Sequence, residues 1–184
     1  QGIYNEGHEN ITTLSGSIMT DGGGNAGIYN VGDDNETTVL GTGSIETAGG
    51  AANGIYNKGS DNTTTVSGSI TTKRNNATGI FNSGNNNETT VSGTGSIETT
   101  GDAGHGIINS GDSNTTTVSG SITIAGSFAY GIYNYGDNNT TTVSGTVKAT
   151  GASSAAFYNE DGDRNSFTLD EGATIIGDIL SYTD

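Results

Sequence analysis

His8 and His105 are the only imidazoles in this chain, and each stands at a different place in a repeating pattern. A general base needs its partner within hydrogen-bond reach, whereas these two lie about four copies of the repeat apart. There is no cysteine, and no serine is held near a histidine by a recognisable motif. Nucleophilic catalysis therefore lacks its parts. Carboxylates are plentiful, but a pair such as Asp33-Asp34 is of the type that forms turns, and the other acids fall mostly one per copy. Arg74 and Arg164 are distant turn residues, so no acid–base cluster of the lyase kind can be assembled from them. The expectation is a protein without catalytic residues.

Metal chemistry has one weak candidate. Glu9, Asp33, Asp34, Asp61, Asp112, Asp137, Asp161 and Asp163 form an acidic ridge just after a recurrent glycine. Oxygen-rich loops can hold Ca²⁺, and Asp161 with Asp163 in "EDGDRN" is the densest place for it. The EF-hand pattern is absent, as is the glycine-aspartate nonapeptide of calcium-binding β-rolls. The ridge therefore reads as a solvated edge, with no cofactor expected.

Binding chemistry has more material. Tyr4, Tyr29, Tyr56, Phe81, Ile108, Tyr133 and Tyr158 recur at one position of the repeat and would face outward by strict alternation. Such an aromatic stripe could grip sugar rings or a partner. A bend after the preceding glycine would instead tuck it partly inside. Thr13, Thr38, Thr65, Thr90, Thr117, Thr142 and Thr168 recur at another outward position, joined by Thr63, Thr115 and Thr140. That array could pair with a second copy of itself, or simply be β-forming threonine on a wet face. A flat ice-binding lattice is disfavoured, because Glu36 and Glu88 interrupt it. Asn10, Asn35, Asn62, Asn87, Asn114 and Asn139 each satisfy the N-x-T glycosylation pattern. Their periodic placement reads as structural.

The elements that position these residues follow from the period. The opening glycine of each copy falls at Gly2, Gly27, Gly54, Gly79, Gly106 and Gly131, with Ala156 in the seventh. Spacings of 25 or 27 residues mean a solenoid, propeller or array. Within a copy, "GIYNVGDDNETTV" and its relatives hold short β-branched runs between Gly and Asn, which describes strands and turns. Three apolar columns emerge on stacking. They are Ile3, Ile28, Ile55, Ile80, Ile107, Ile132, Phe157; then Leu14, Val39, Val66, Val91, Val118, Val143, Leu169; then Ile18, Ile45, Ile70, Ile97, Ile122, Val147, Ile175. The expected fold is all-β: a single-stranded parallel β-solenoid of about seven rungs, three strands per rung, roughly 34 Å long.

Other columns fit that arrangement. Asn5, Asn30, Asn57, Asn82, Asn109, Asn134 and Asn159 form one polar file, and the N-x-T asparagines with Asn165 form a second. Amides stacked this way can donate to the rung above and accept from the rung below. Gly7, Gly32, Gly59, Gly84, Gly111, Gly136 and Gly162 lie between the two files and suit a turn of positive φ. The two longest copies insert Thr-Gly in "LGTGSI" and "SGTGSI", which a corner or bulge could absorb. They also carry Glu36, Glu46, Glu88 and Glu98, two rungs apart, where like charges would not meet.

Composition sets limits. Hydrophobic residues are 29%, there are 32 Gly and no Pro, and net charge is −15. Low hydrophobicity with high charge is the signature of disorder, but 21 of the 32 Ile, Val, Leu and Phe residues fall in the three columns. The negative charge disfavours nucleic acid and anionic membranes as partners, and no apolar run is long enough for a membrane helix.

The repeat "GIYNxGxxNxTTVSGSI" with the closing "FTLDEGATIIGDI" resembles the passenger regions of bacterial autotransporters. That resemblance implies a right-handed β-helix displayed at the bacterial cell surface, with the leader and membrane barrel lying outside this stretch. The expectation is thus an extracellular, non-enzymatic structural or adhesive solenoid, part of a longer chain. It would act as a stalk or self-associate laterally or end to end, and the alternative is a module binding host or matrix glycans through the aromatic stripe.

Overall fold

The computed structural model describes residues 1–160 and 162–182. They form three parallel sheets and no helix. The first sheet has eight strands, from Ile3–Glu6 to Asp178–Ser181; the second runs from Ile11–Leu14 to Ser166–Leu169 and the third from Ser17–Thr20 to Thr174–Ile176, with seven strands each. Each turn contributes one strand to every sheet, and pairing joins identical positions of successive turns. Ile3 pairs with Ile28, Thr12 with Thr37 and Ile18 with Ile45. This is a β-solenoid of about seven turns.

Register follows from the apolar columns, because a slip of one residue would turn every inward side chain outward. Apart from Leu169, the three columns form one continuous core, with Ile3, Ile18 and Ile175 partly buried at its two ends. Ile28, Ile55, Val66, Ile70, Ile80, Val91, Val118 and Ile122 are wholly buried. Phe167 packs against this core and its ring lies 4.3 Å from that of Phe157. Leu169, in the last turn, is half-exposed.

The opening glycines close the core. A Cβ added to Gly54 would lie 2.3 Å from Cγ2 of Ile70, the third-strand residue of the same turn, and 2.6 Å from the carbonyl oxygen of Gly79. Gly27, Gly79 and Gly106 are crowded in the same way. In these turns the close approach of the first strand to the third uses the missing side chain, and in the seventh turn the small, wholly buried Ala156 takes that position.

The inserted residues sit where the second sheet gives way to the third. Gly43 N–H donates to Leu40 O at 2.7 Å and Gly95 N–H to Ser92 O at 2.8 Å, each closing a local turn. The strands on either side keep their register. The seventh turn has the same longer corner, closed by Ala173 N–H to Asp170 O. Glu36 lies opposite Ile11 and Thr63, and Glu88 opposite Thr63 and Thr115, so no two of these carboxylates meet across the sheet.

Candidate functional site

The polar columns are inter-turn fasteners. In the first asparagine file, Asn5, Asn30, Asn57, Asn82 and Asn109 each donate Nδ2–H to Oδ1 of the asparagine one turn on, at 2.7–2.9 Å. The same Nδ2 groups also donate to the inward threonine of their own turn, as Asn57 does to Thr64 Oγ1 at 3.0 Å. Pairing amide with hydroxyl is what lets both be buried.

The second file works differently from the amide stacking expected of it. Backbone N–H groups of Asn10, Asn35, Asn62, Asn87 and Asn114 donate to Oδ1 of the asparagine in the next turn. Asn10 Nδ2 adds an amide–amide bond to Asn35 while also reaching Gly7 O, and Asn165 Nδ2 donates to Asn159 Oδ1 of the first file, whereas Nδ2 of Asn35, Asn114 and Asn139 turns back to a glycine carbonyl of its own turn. Corner backbone donors, which no ladder reaches, take the side-chain oxygen first. Asn87 Nδ2 donates to Gly59 O at 3.1 Å, and Asn62 Nδ2 is left buried without a partner. From Asn35 to Asn139 this file is buried, so its N-x-T amides lie inside the fold.

The acidic ridge also has structural work, contrary to a purely solvated edge. Oδ1 of Asp33, Asn85, Asp112 and Asp137 accepts the backbone N–H of Ser60, Asp112, Asp137 and Asp163 respectively, each one turn on, at 2.8–2.9 Å. Beside it runs a file of left-handed residues, including Glu9, Asp34, Asp61, Ser113 and Arg164, with φ near 57°. A second left-handed file (Gly24, Ala51, Asn76, Ala103, Phe128, Ser153) turns the corner into the first sheet. Thr47, Thr72 and Thr99 brace that corner by donating Oγ1–H to the carbonyls of Ala52, Ala77 and Gly104.

The threonine face lies on the second sheet. Thr13, Thr38, Thr65, Thr90, Thr117, Thr142 and Thr168 pair in register on its outer side, and Thr37, Thr64, Thr89, Thr116 and Thr141 point into the core.

The aromatic stripe lies on the outer side of the first sheet, mostly half-buried rather than fully displayed. Tyr29, Tyr56 and Phe81 stack face to face at 4.9 Å, with planes within 11° and 6° of parallel. Their faces are therefore spent on one another and their edges meet solvent. Tyr4 packs edge-on against Tyr29. Beyond Ile108 the rings regroup around Tyr130, Tyr133 and Tyr158, where Tyr130 and Tyr158 stack at 4.2 Å. Tyr133 Oη donates to Glu160. Burial, reinforced by that carboxylate, holds the Tyr133 hydroxyl above the usual tyrosine range.

At the Ile108 interruption the surface dips into a groove of about 380 Å³. Phe81 and Ile108 form its apolar wall, Asn53, Thr78 and His105 its polar wall, with Ala51, Asn76 and Ala103 at the corner. His105 Nδ1 accepts the backbone N–H of Tyr130 at 3.0 Å, which places the ring proton on Nε2. Burial lowers its pKa to about 4. In the same column Asn53 Oδ1 accepts the N–H of Thr78. Sequence reasoning missed this place, since Ala26, Asn53, Thr78, His105 and Tyr130 share no chemistry.

His8 stands at the other corner, where its Nδ1 accepts the N–H of Asp33, so the two imidazoles belong to separate columns. Among the described residues no group of three or more His, Cys, Asp or Glu is placed to hold a metal. Asp163 takes part in the backbone ladder, and Asp161 lies outside the described residues. No protein-family model, curated protein or solved structure matches this chain.

Proposed function

We propose that this chain is a non-enzymatic structural and adhesive solenoid of the bacterial surface, a stiff spacer that associates with further copies of itself through its threonine face. The resemblance of its repeat to autotransporter passengers supports the extracellular setting. The observation that carries the reading is the unbroken outward threonine file in register over seven turns of one sheet. Hydroxyls at a constant rise offer a second copy the same spacing of donors and acceptors. Stiffness comes from the side-chain columns, which tie each turn to the next independently of the strands.

The charge of −15 opposes contact between copies, and Glu36 and Glu88 lie on the associating face. Screening should therefore favour association. Sedimentation and electron microscopy across concentration and ionic strength test this. Lateral pairs or fibres should grow with salt, and the double change Glu36→Thr, Glu88→Thr should bring them on at lower salt. Isolated short rods under every condition, in both proteins, would refute the reading.

A further inference from the structure

The aromatic stripe fails at one place, and three columns change character there together. Ile108 replaces a ring, His105 stands in the column beside it, and Ala51 and Ala103 keep the corner low where Phe128 projects one turn later. We propose that the resulting groove binds a neutral pyranose unit of a glycan. This proposal stands apart from self-association through the threonine face, and either can fail without the other.

The apolar wall supplies a packing surface. Phe81 gives one face to Tyr56 with planes 6° apart, and Ile108 stands in register with it on the next turn, so the wall consists of the Phe81 ring edge and the shorter Ile108 side chain. Pyranoses with equatorial hydroxyls present a face of axial C–H groups that packs on such a surface.

The polar wall supplies fixed donors. Asn53 Oδ1 and His105 Nδ1 are each tied to the backbone of the next turn, at 3.0 Å. Those bonds orient the Asn53 amide N–H₂ and the His105 Nε2–H before any ligand arrives, which lowers the ordering cost of binding. Sugar hydroxyls accept from both. No charged side chain lines the groove, and the overall −15 charge repels acidic sugars, so the fitting class is neutral. An open groove rather than a closed pocket suits a residue within an oligosaccharide.

The test is a ¹H–¹⁵N spectrum of the whole chain titrated with cellotriose, maltotriose and chitotriose. At least one should give saturable shifts centred on the Asn53 and Asn76 side-chain amides and the His105 ring. Ile108→Tyr, which completes the stripe, and Ala103→Phe, which copies Phe128 one turn earlier, should each weaken that sugar at least about tenfold with the melting temperature retained. Absence of saturable shifts with all three sugars overturns the proposal. So does equal affinity in whichever of the two variants folds, or a response centred on Tyr29 and Tyr56.

Discussion

Asn57 Nδ2 donates to Asn82 Oδ1 at 2.9 Å across 25 residues of sequence, and both side chains are wholly or almost wholly buried. The same nitrogen donates to Thr64 Oγ1. Asn57→Ala would strip partners from Asn30, Thr64 and Asn82 at once, in a site water does not reach. We expect a loss of about 2–4 kcal/mol, read from chemical unfolding. Asn5→Ala, at a part-buried position, should cost clearly less. Equal losses at both sites would contradict the role given to burial.

Gly84 has φ +150°, and a Cβ there would lie 2.3 Å from the carbonyl oxygen of Gly59. That neighbour is backbone and cannot swing away. Gly84→Ala should destabilise by at least about 3 kcal/mol, whereas Gly93→Ala should stay within about 0.5 kcal/mol. A Cβ on Gly93 meets nothing within 4 Å. Thermal melts of the pair separate turn geometry from a general intolerance of alanine.

Neutral His105 is the form that accepts the Tyr130 N–H. Its pKa is about 4 in the fold and 6.5 in an unfolded chain, so the unfolded state takes up the proton first on acidification. Stability contributed by this site is complete above pH 6.5 and is lost as pH falls toward 4, by about 3 kcal/mol in all. His105→Asn, which copies Asn53, should flatten that part of the curve. Identical pH profiles for the two proteins would show that His105 is protonated at no cost.

The longer corner is an accommodation and not a requirement. Deleting Gly93 and Thr94 leaves the Ser-Gly-Ser corner already present at Ser67–Ser69, and the flanking strands keep their register in both versions. We expect a change within about 1 kcal/mol. Deleting the single residue Thr94 should cost far more, because one residue reverses side-chain facing in the strands beyond.

Much of this was readable from spacing. Identical residues recurring every 25 or 27 positions gave the columns, and alternation about Val66 placed Thr64 inside and Thr65 outside. The limits were chemical. Asp112 and Asp137 looked like solvent-facing acids because turn carboxylates usually are, and nothing local announced that each would cap the backbone of the next turn. The second asparagine file was placed correctly, but its bonding was misjudged, because corner N–H groups compete for Oδ1. The second left-handed corner was invisible, since Ala51, Asn76, Phe128 and Ser153 have only a backbone angle in common. The groove was missed for the same reason, because it arises from what Ile108 and Ala103 lack.

The first asparagine file also has a polarity. From Asn5 to Asn109 every amide gives its hydrogen toward the later turn, and from Asn30 to Asn134 each receives from the earlier one, so the side-chain dipoles align and reinforce one another. Such a column accepts an added turn in only one sense. Two such files running in the same sense keep their dipoles aligned, whereas opposed files set carbonyl against carbonyl or amide nitrogen against amide nitrogen.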